Sequence, residues 1–198
     1  RSWIDGKSKP PRATKKYRVV FFRDREQYVK ELEKSVPGVA ISTGYYSDQL
    51  ELSFFYSSEA NPDLATWRHE LTHQLFKESI RTGKSPFEAS EIWVGEGIAM
   101  YFEGLYDFGD FVTLGGFDTQ RLQYARLRVL KERKYLPFQQ LSQLGQRELQ
   151  AHPDVRQIYS QAAGLTQFLM TADGGSHRDG LVTWLDAVYC GKHYKPDA

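Results

Sequence analysis

Apolar positions along the first third of the chain follow the short spacing of strands, and along the remainder the longer spacing of helices. The run Tyr17-Arg18-Val19-Val20-Phe21-Phe22 is rich in β-branched and aromatic side chains and predicts a strand. Asp24 then caps a helix from about residue 25 to 34, which Pro37-Gly38 ends. Residues 39–46 and 50–56 predict two more strands, joined through Ser47-Asp48-Gln49 as a hairpin. In the second of these Leu50, Leu52 and Phe54 alternate with Glu51 and Ser53, which gives that strand one wet face. A long helix follows, with Pro62 at its first position behind Asn61, running to about Ile80 and closing at Gly83. Another covers about 90–105, and Gly104, Gly109 and Gly115-Gly116 mark a long irregular connection after it. Asp118 caps a third, amphipathic helix to Lys134, Pro137 to Leu144 makes one or two turns, and two last helices span about 153–171 and 180–189. A small sheet followed by helices is an α+β order. Residues 1–16, with Lys7, Lys9, Lys15, Lys16 and Pro10-Pro11, read as a linker or arm. That leaves 17–198 as one domain, with the sheet and first long helix in 17–82 and the helical part in 83–198.

Composition narrows the function classes. At 198 residues and 22.9 kDa, with 40% hydrophobic and 26% charged residues, the chain can bury a core without a staple. Lys+Arg 26 against Asp+Glu 25 leaves a formal charge of +1, which removes the electrostatic footprint of a nucleic-acid binder. No apolar run approaches the roughly 18 residues that cross a bilayer. The lone Cys190 offers neither an internal disulfide nor a cysteine metal site. The chain begins at Arg1 without Met, which fits an exported protein that has lost a signal peptide, or a larger protein. The compartment stays open.

The chemistry is concentrated in His69-Glu70-Leu71-Thr72-His73, an HExxH pattern on the first long helix. Positions i and i+4 stack on one helix face, so both imidazoles reach one ion, while the Glu is displaced round the helix beside it. Chance alone yields this pattern in roughly 1% of sequences of this composition. A catalytic zinc takes three protein ligands and keeps one position open. Glu96, 22 residues beyond His73 and early in the next helix, can supply the third after an antiparallel return. Gly95 and Gly97 flank it at a cost of about 1 kcal/mol each relative to Ala, which close helix approach with backbone near the metal would explain.

His69-Glu70-x-x-His73 followed by Trp93-x-x-Glu96-Gly97-x-Ala99-x-Tyr101-x-Glu103 resembles the gluzincin metallopeptidases. Its second segment is similar to the WLNEGFAxYxE stretch of the aminopeptidase N family, and the small bacterial peptidase-MA-like domains of unassigned function are the nearest in character. The resemblance covers roughly residues 67–103, with a weaker echo at Tyr159. It implies a zincin-like fold, in which a small mixed sheet packs on the HExxH helix ahead of a mainly helical half. It also implies one Zn2+ held by His69, His73 and Glu96, with Glu70 as the general base that activates the metal-bound water.

Ile158-Tyr159-Ser160-Gln161-Ala162 resembles the family segment whose Tyr stabilises the oxyanion, although its Lys and Gly are replaced here by Gln161 and Ala162. Tyr159 stands beside the apolar stripe Ile158, Ala162, Leu165 and Leu169, facing either a cleft or the core. Glu103, two turns after Glu96, is either a partner for the free N–H of a ligand His or a surface carboxylate. His152, His177 and His193 read as solvent-facing, and Trp67 and Trp93 as packing between the two helices. In the resembled folds a peptide adds to the edge strand beside the zinc. Tyr45, Tyr46, Phe55 and Tyr56 would then form apolar subsites. Thr43-Gly44-Tyr45-Tyr46-Ser47 stands where the family's amine-holding GxMEN segment would be, which argues against amino-terminal trimming. The expectation is therefore a zinc-dependent endopeptidase acting on a peptide or protein. Two alternatives stay open, an inactive zincin-fold peptide-binding or scaffold domain and a zinc hydrolase of non-peptide amides.

Overall fold

The computed structural model describes residues 16–57, 64–78, 87 and 89–190. The expected arm at 1–16 and the ends of the long helix at Pro62, Ile80 and Gly83 lie essentially outside these residues, as does His193. The chain is α+β and mostly helical, with eight α-helices and two small sheets among the described residues.

The first sheet has the order β1-β3-β2, formed by β1 (Arg18–Phe22), β2 (Gly44–Ser47) and β3 (Leu52–Tyr56). β1 runs parallel to β3 and β2 antiparallel to it, so the sheet is mixed and β2 is an edge. Its connection to β1 is α1 (Arg25–Leu32), whose first turn is held by the Asp24 carboxylate accepting from the Gln27 N–H at 2.8 Å. Side-chain alternation sends Val20, Phe22, Tyr45 and Phe54 to the α1 face, where they gather round Tyr28, Leu32 and Val39. The opposite face, carrying Phe21, Ser53 and Phe55, receives α2 (Leu64–Glu78). Gln74, fully buried, fixes that contact by accepting from Ser53 Oγ at 2.8 Å and donating to the Arg18 carbonyl at 3.1 Å. A side chain at Gly44 would strike the Phe55 ring and Thr66, so a glycine there is what lets α2 cross the edge strand.

The helical half has its own core. α3 (Ile92–Glu103) packs against α7 (Val155–Thr171), with α5 (Phe138–Gln143), α6 (Gln146–Ala151) and α8 (Arg178–Cys190) around Ile98, Leu141, Leu149 and Ile158. A Cβ at Gly97 would collide with Thr166 and the Ala162 carbonyl, so this glycine marks the α3–α7 crossing. Gly95 instead faces the Phe87 ring. The expected close helix approach is found at Gly97, where the neighbour is α7, while at Gly95 the near group is a side chain outside the helices.

Several sequence expectations give way. Residues 39–41 form a 3-10 turn rather than the start of a strand, because Gly38 enters it in the left-handed conformation (φ 84°) and leaves Ile41 94% exposed. The connection after α3 contains a minimal hairpin, β4 (Tyr106–Asp107) and β5 (Val112–Thr113), turning at Gly109 with φ 86°. Thr119, not Asp118, caps α4 (Gln120–Ala125), by accepting from the Leu122 N–H. That helix widens into a π segment over Arg126–Lys131 and stops there, short of Lys134. α6 has no counterpart in the sequence reading, since Gly145 precedes it without a side-chain cap. Trp67 packs on Phe21 and Phe55 of the sheet and Trp93 on Phe138, so neither sits between α2 and α3 as expected.

Candidate metal centre

The interface of α2 and α3 lies between the two cores, and there the polar residues collect. His69 and His73 project from one face of α2 with Nε2 atoms 3.0 Å apart. Glu96 Oε2, arriving from α3, stands 3.3 Å from His69 Nε2 and 3.4 Å from His73 Nε2. Three donors of a tetrahedral ion with bonds of about 2.0–2.1 Å lie about 3.3 Å apart, so the triangle has the size such an ion requires. His69, His73 and Glu96 thus form a group that can hold a metal ion.

Protonation makes the same point. Glu103 Oε1 lies 2.9 Å from His69 Nδ1, and accepting the Nδ1–H leaves the neutral His69 ring with a bare lone pair at Nε2. That lone pair, His73 Nε2 and Glu96 Oε2 converge, and Glu96 Oε2 is buried with no well-formed hydrogen bond among the described residues. Such a gathering of lone pairs calls for a cation. Without a metal the proton plays that part: burial works against a charged His69, but Glu103 and Glu96 outweigh it and raise its pKa to about 10. Burial likewise opposes the Glu96 charge, and His73 and His69 reverse it, holding Glu96 below the usual carboxylate range.

Arg121, from α4, completes the surround. Its Nε donates to both Glu103 oxygens at 3.2 Å, and its guanidinium lies 5.5 Å from the Tyr159 ring centroid. Tyr159 is thereby placed on the site side of α7. Burial first, then the Glu96 charge, push its hydroxyl well above the tyrosine range, while Arg121 pulls the other way. At neutral pH it is a phenol, able to donate. Sequence reasoning missed Arg121. It lies 18 residues from Glu103 beyond a loop of irregular geometry, and no local spacing links the two.

Glu70 points towards the sheet edge, where its Oε2 accepts the Tyr46 backbone N–H at 3.0 Å. The edge strand therefore lies beside the motif, but the aromatic subsites are not arranged as expected. Phe55 is buried against Trp67, and Tyr45 and Tyr56 pack with Phe54 and Tyr28 on the far face of the sheet. Tyr46 buries its hydroxyl without a partner among the described residues, so it is the main chain of Tyr46 that meets the site. His177 stacks on Phe168, and His152 accepts the Asp154 N–H through Nδ1, both remote from the triangle in sequence and in contacts. Compared with known proteins, the chain matches no family model, no curated protein and no solved structure, so its site is read from its own residues.

Proposed function

We propose that the chain is a zinc-dependent hydrolase of peptide bonds, cleaving within extended peptides. The observation that carries this reading is the His69, His73 and Glu96 triangle with Glu70 beside it and an open sheet edge alongside. Two imidazoles and one carboxylate suit zinc, which when bound in such a site lowers the pKa of its water towards 7 and polarises a carbonyl.

The chain's own groups have separable parts. Glu70, steadied at Oε2 by the Tyr46 N–H, takes a proton from the attacking water at its other oxygen and delivers it to the leaving amine. Tyr159 stays protonated through its raised pKa and donates its O–H towards the oxyanion that forms on the carbonyl. Glu103 fixes the His69 tautomer, and Arg121 fixes Glu103. An extended substrate pairs with the outer edge of β2 through the main-chain groups left there, the Tyr46 N–H being held by Glu70, and such hydrogen bonds align it regardless of side chain.

The test is hydrolysis of a mixed peptide pool by zinc-loaded protein, followed by mass spectrometry, against Glu70→Gln. The expected result is internal cleavage by wild type, and a loss of at least about a thousandfold in the variant with zinc retained. Unchanged turnover in folded, zinc-loaded Glu70→Gln would remove Glu70 from the reaction. A wild type that holds one zinc, binds peptides and cuts none would make the centre a structural part of a binding domain.

A further inference from the structure

On the side of α7 away from the metal centre, a groove of about 840 Å³ runs between that helix, the α4–π segment and residues 135–138. Phe117, Leu130, Tyr135, Phe138 and Phe168 border it, each more than half exposed. Apolar groups gathered in this way on one concave surface mark a binding site, and the volume lies within the about 300–1,000 Å³ of small-molecule sites.

The polar side chains of the wall are already engaged by the chain itself. Gln161 donates to the Leu136 carbonyl and accepts the Leu136 N–H, at 2.6 and 2.8 Å. Gln167 donates to the Gly115 carbonyl, and Thr171 to that of Gln167. The wall thus offers an occupant almost no donor or acceptor along its length. Its one charge is Arg126, exposed at the rim and without an ion pair among the described residues, and no acidic residue lines the groove. Nearby Arg128 and Lys134, by contrast, are both tied to Glu132. A chain free of polar atoms with one anionic end matches this wall. A peptide would bring polar groups that find no partner, and a flat bilayer would not fill a concavity.

We propose that the groove binds a single-chain anionic amphiphile, a long-chain fatty acid, with its acyl chain along Leu130, Phe138, Leu165 and Phe168 and its carboxylate at Arg126. Each methylene removed from water tightens binding by about fourfold until the groove is filled.

The purified chain is titrated with palmitate against a fluorescent fatty acid, with laurate and 1-hexadecanol as comparison ligands. The expected result is one saturable site, palmitate bound more tightly than laurate by at least tenfold. Arg126→Gln should weaken palmitate about tenfold and leave 1-hexadecanol unchanged. Leu130→Glu and Phe168→Glu, both at exposed positions that spare the core, should each weaken both ligands at least tenfold, with the helical circular dichroism retained. Absence of saturable displacement overturns the proposal, as does displacement indifferent to chain length or to all three variants. It is equally overturned if sedimentation shows a dimer that Leu130→Glu dissolves and palmitate does not, since a second copy would then be the occupant. Binding to anionic phospholipid vesicles without binding of free palmitate would assign the surface to a membrane instead. Removing metal should change none of these affinities, which separates the groove from the hydrolase reading.

Discussion

The two sides of α7 have opposite characters. Its inner side meets α3 so closely that Gly97 has no room for a side chain, and it carries Tyr159 to a polar cluster of converging lone pairs steadied by Glu103 and Arg121. Its outer side, through Leu165 and Phe168, faces a wide apolar groove with a single rim charge. One helix serves both because 3.6 residues per turn put Tyr159, Ala162 and Thr166 on one side and Gly164, Phe168 and Thr171 on the other, with Leu165 between them. Tight packing holds donor atoms within tenths of an ångström, as metal binding requires. Loose packing leaves volume, as an apolar ligand requires.

The comparison breaks most completely at the ligands. Glu96→Ala should take metal content after dialysis, measured by elemental mass spectrometry, from about one ion per chain to almost none, leaving groove binding unchanged. Next comes Gly97→Val, whose added carbons meet Thr166 and the Ala162 carbonyl; urea denaturation should show a loss of about 2–3 kcal/mol, and metal affinity should fall with it. Arg121→Leu acts on the inner side alone. Freeing Glu103 should weaken zinc about 10–100-fold while thermal stability changes little, as a competition titration against a chelator would report.

A pH titration sharpens the same side. With its folded pKa raised to about 10, protonated His69 stabilises the metal-free fold fully below the unfolded value of about 6.5, and that contribution is lost as pH rises towards 10. A metal must displace this proton. Zinc affinity should therefore tighten about tenfold between pH 7 and pH 8, with close to one proton released per ion in calorimetry across buffers; a flat profile would show that His69 is already neutral. The smallest effect belongs to the outer side. At Gly164 a Cβ would meet the Ala125 methyl at 3.4 Å, an ordinary contact, so Gly164→Ala should stabilise by up to about 1 kcal/mol on thermal unfolding.

What was legible in the sequence follows how locally each feature is determined. His69, Glu70 and His73 are joined by one helical turn, and Glu96 by a short return, so spacing alone brings them within reach. Glu103 stands two turns along α3, and its pattern left it between a His partner and the surface; contact with His69 depends on how α2 and α3 dock. For Tyr159 the amphipathic stripe fixed the core side of α7, but whether the ring beside it faced cleft or core depended on the placement of α3. Arg121 was invisible because its position rests on the cap at Thr119 and on the course of the hairpin before it. Among the folds, β1, α1 and β3 were readable from composition and the Asp24 cap. The turn at 39–41 was not, since β-branched Val39 and Ile41 have strand propensity that the left-handed Gly38 overrides.

The π segment at Arg126–Lys131 places one more residue in its turn than an α-helix would, with the Glu132 N–H reaching back five residues to the Leu127 carbonyl. Losing one codon within it would let an ordinary helix form, because the turn that absorbs the extra residue would tighten while the residues on either side keep their facing. Removal of three nucleotides from the gene would therefore be absorbed within this one turn of the groove wall, so the chain's length can change here by one residue with the metal centre untouched.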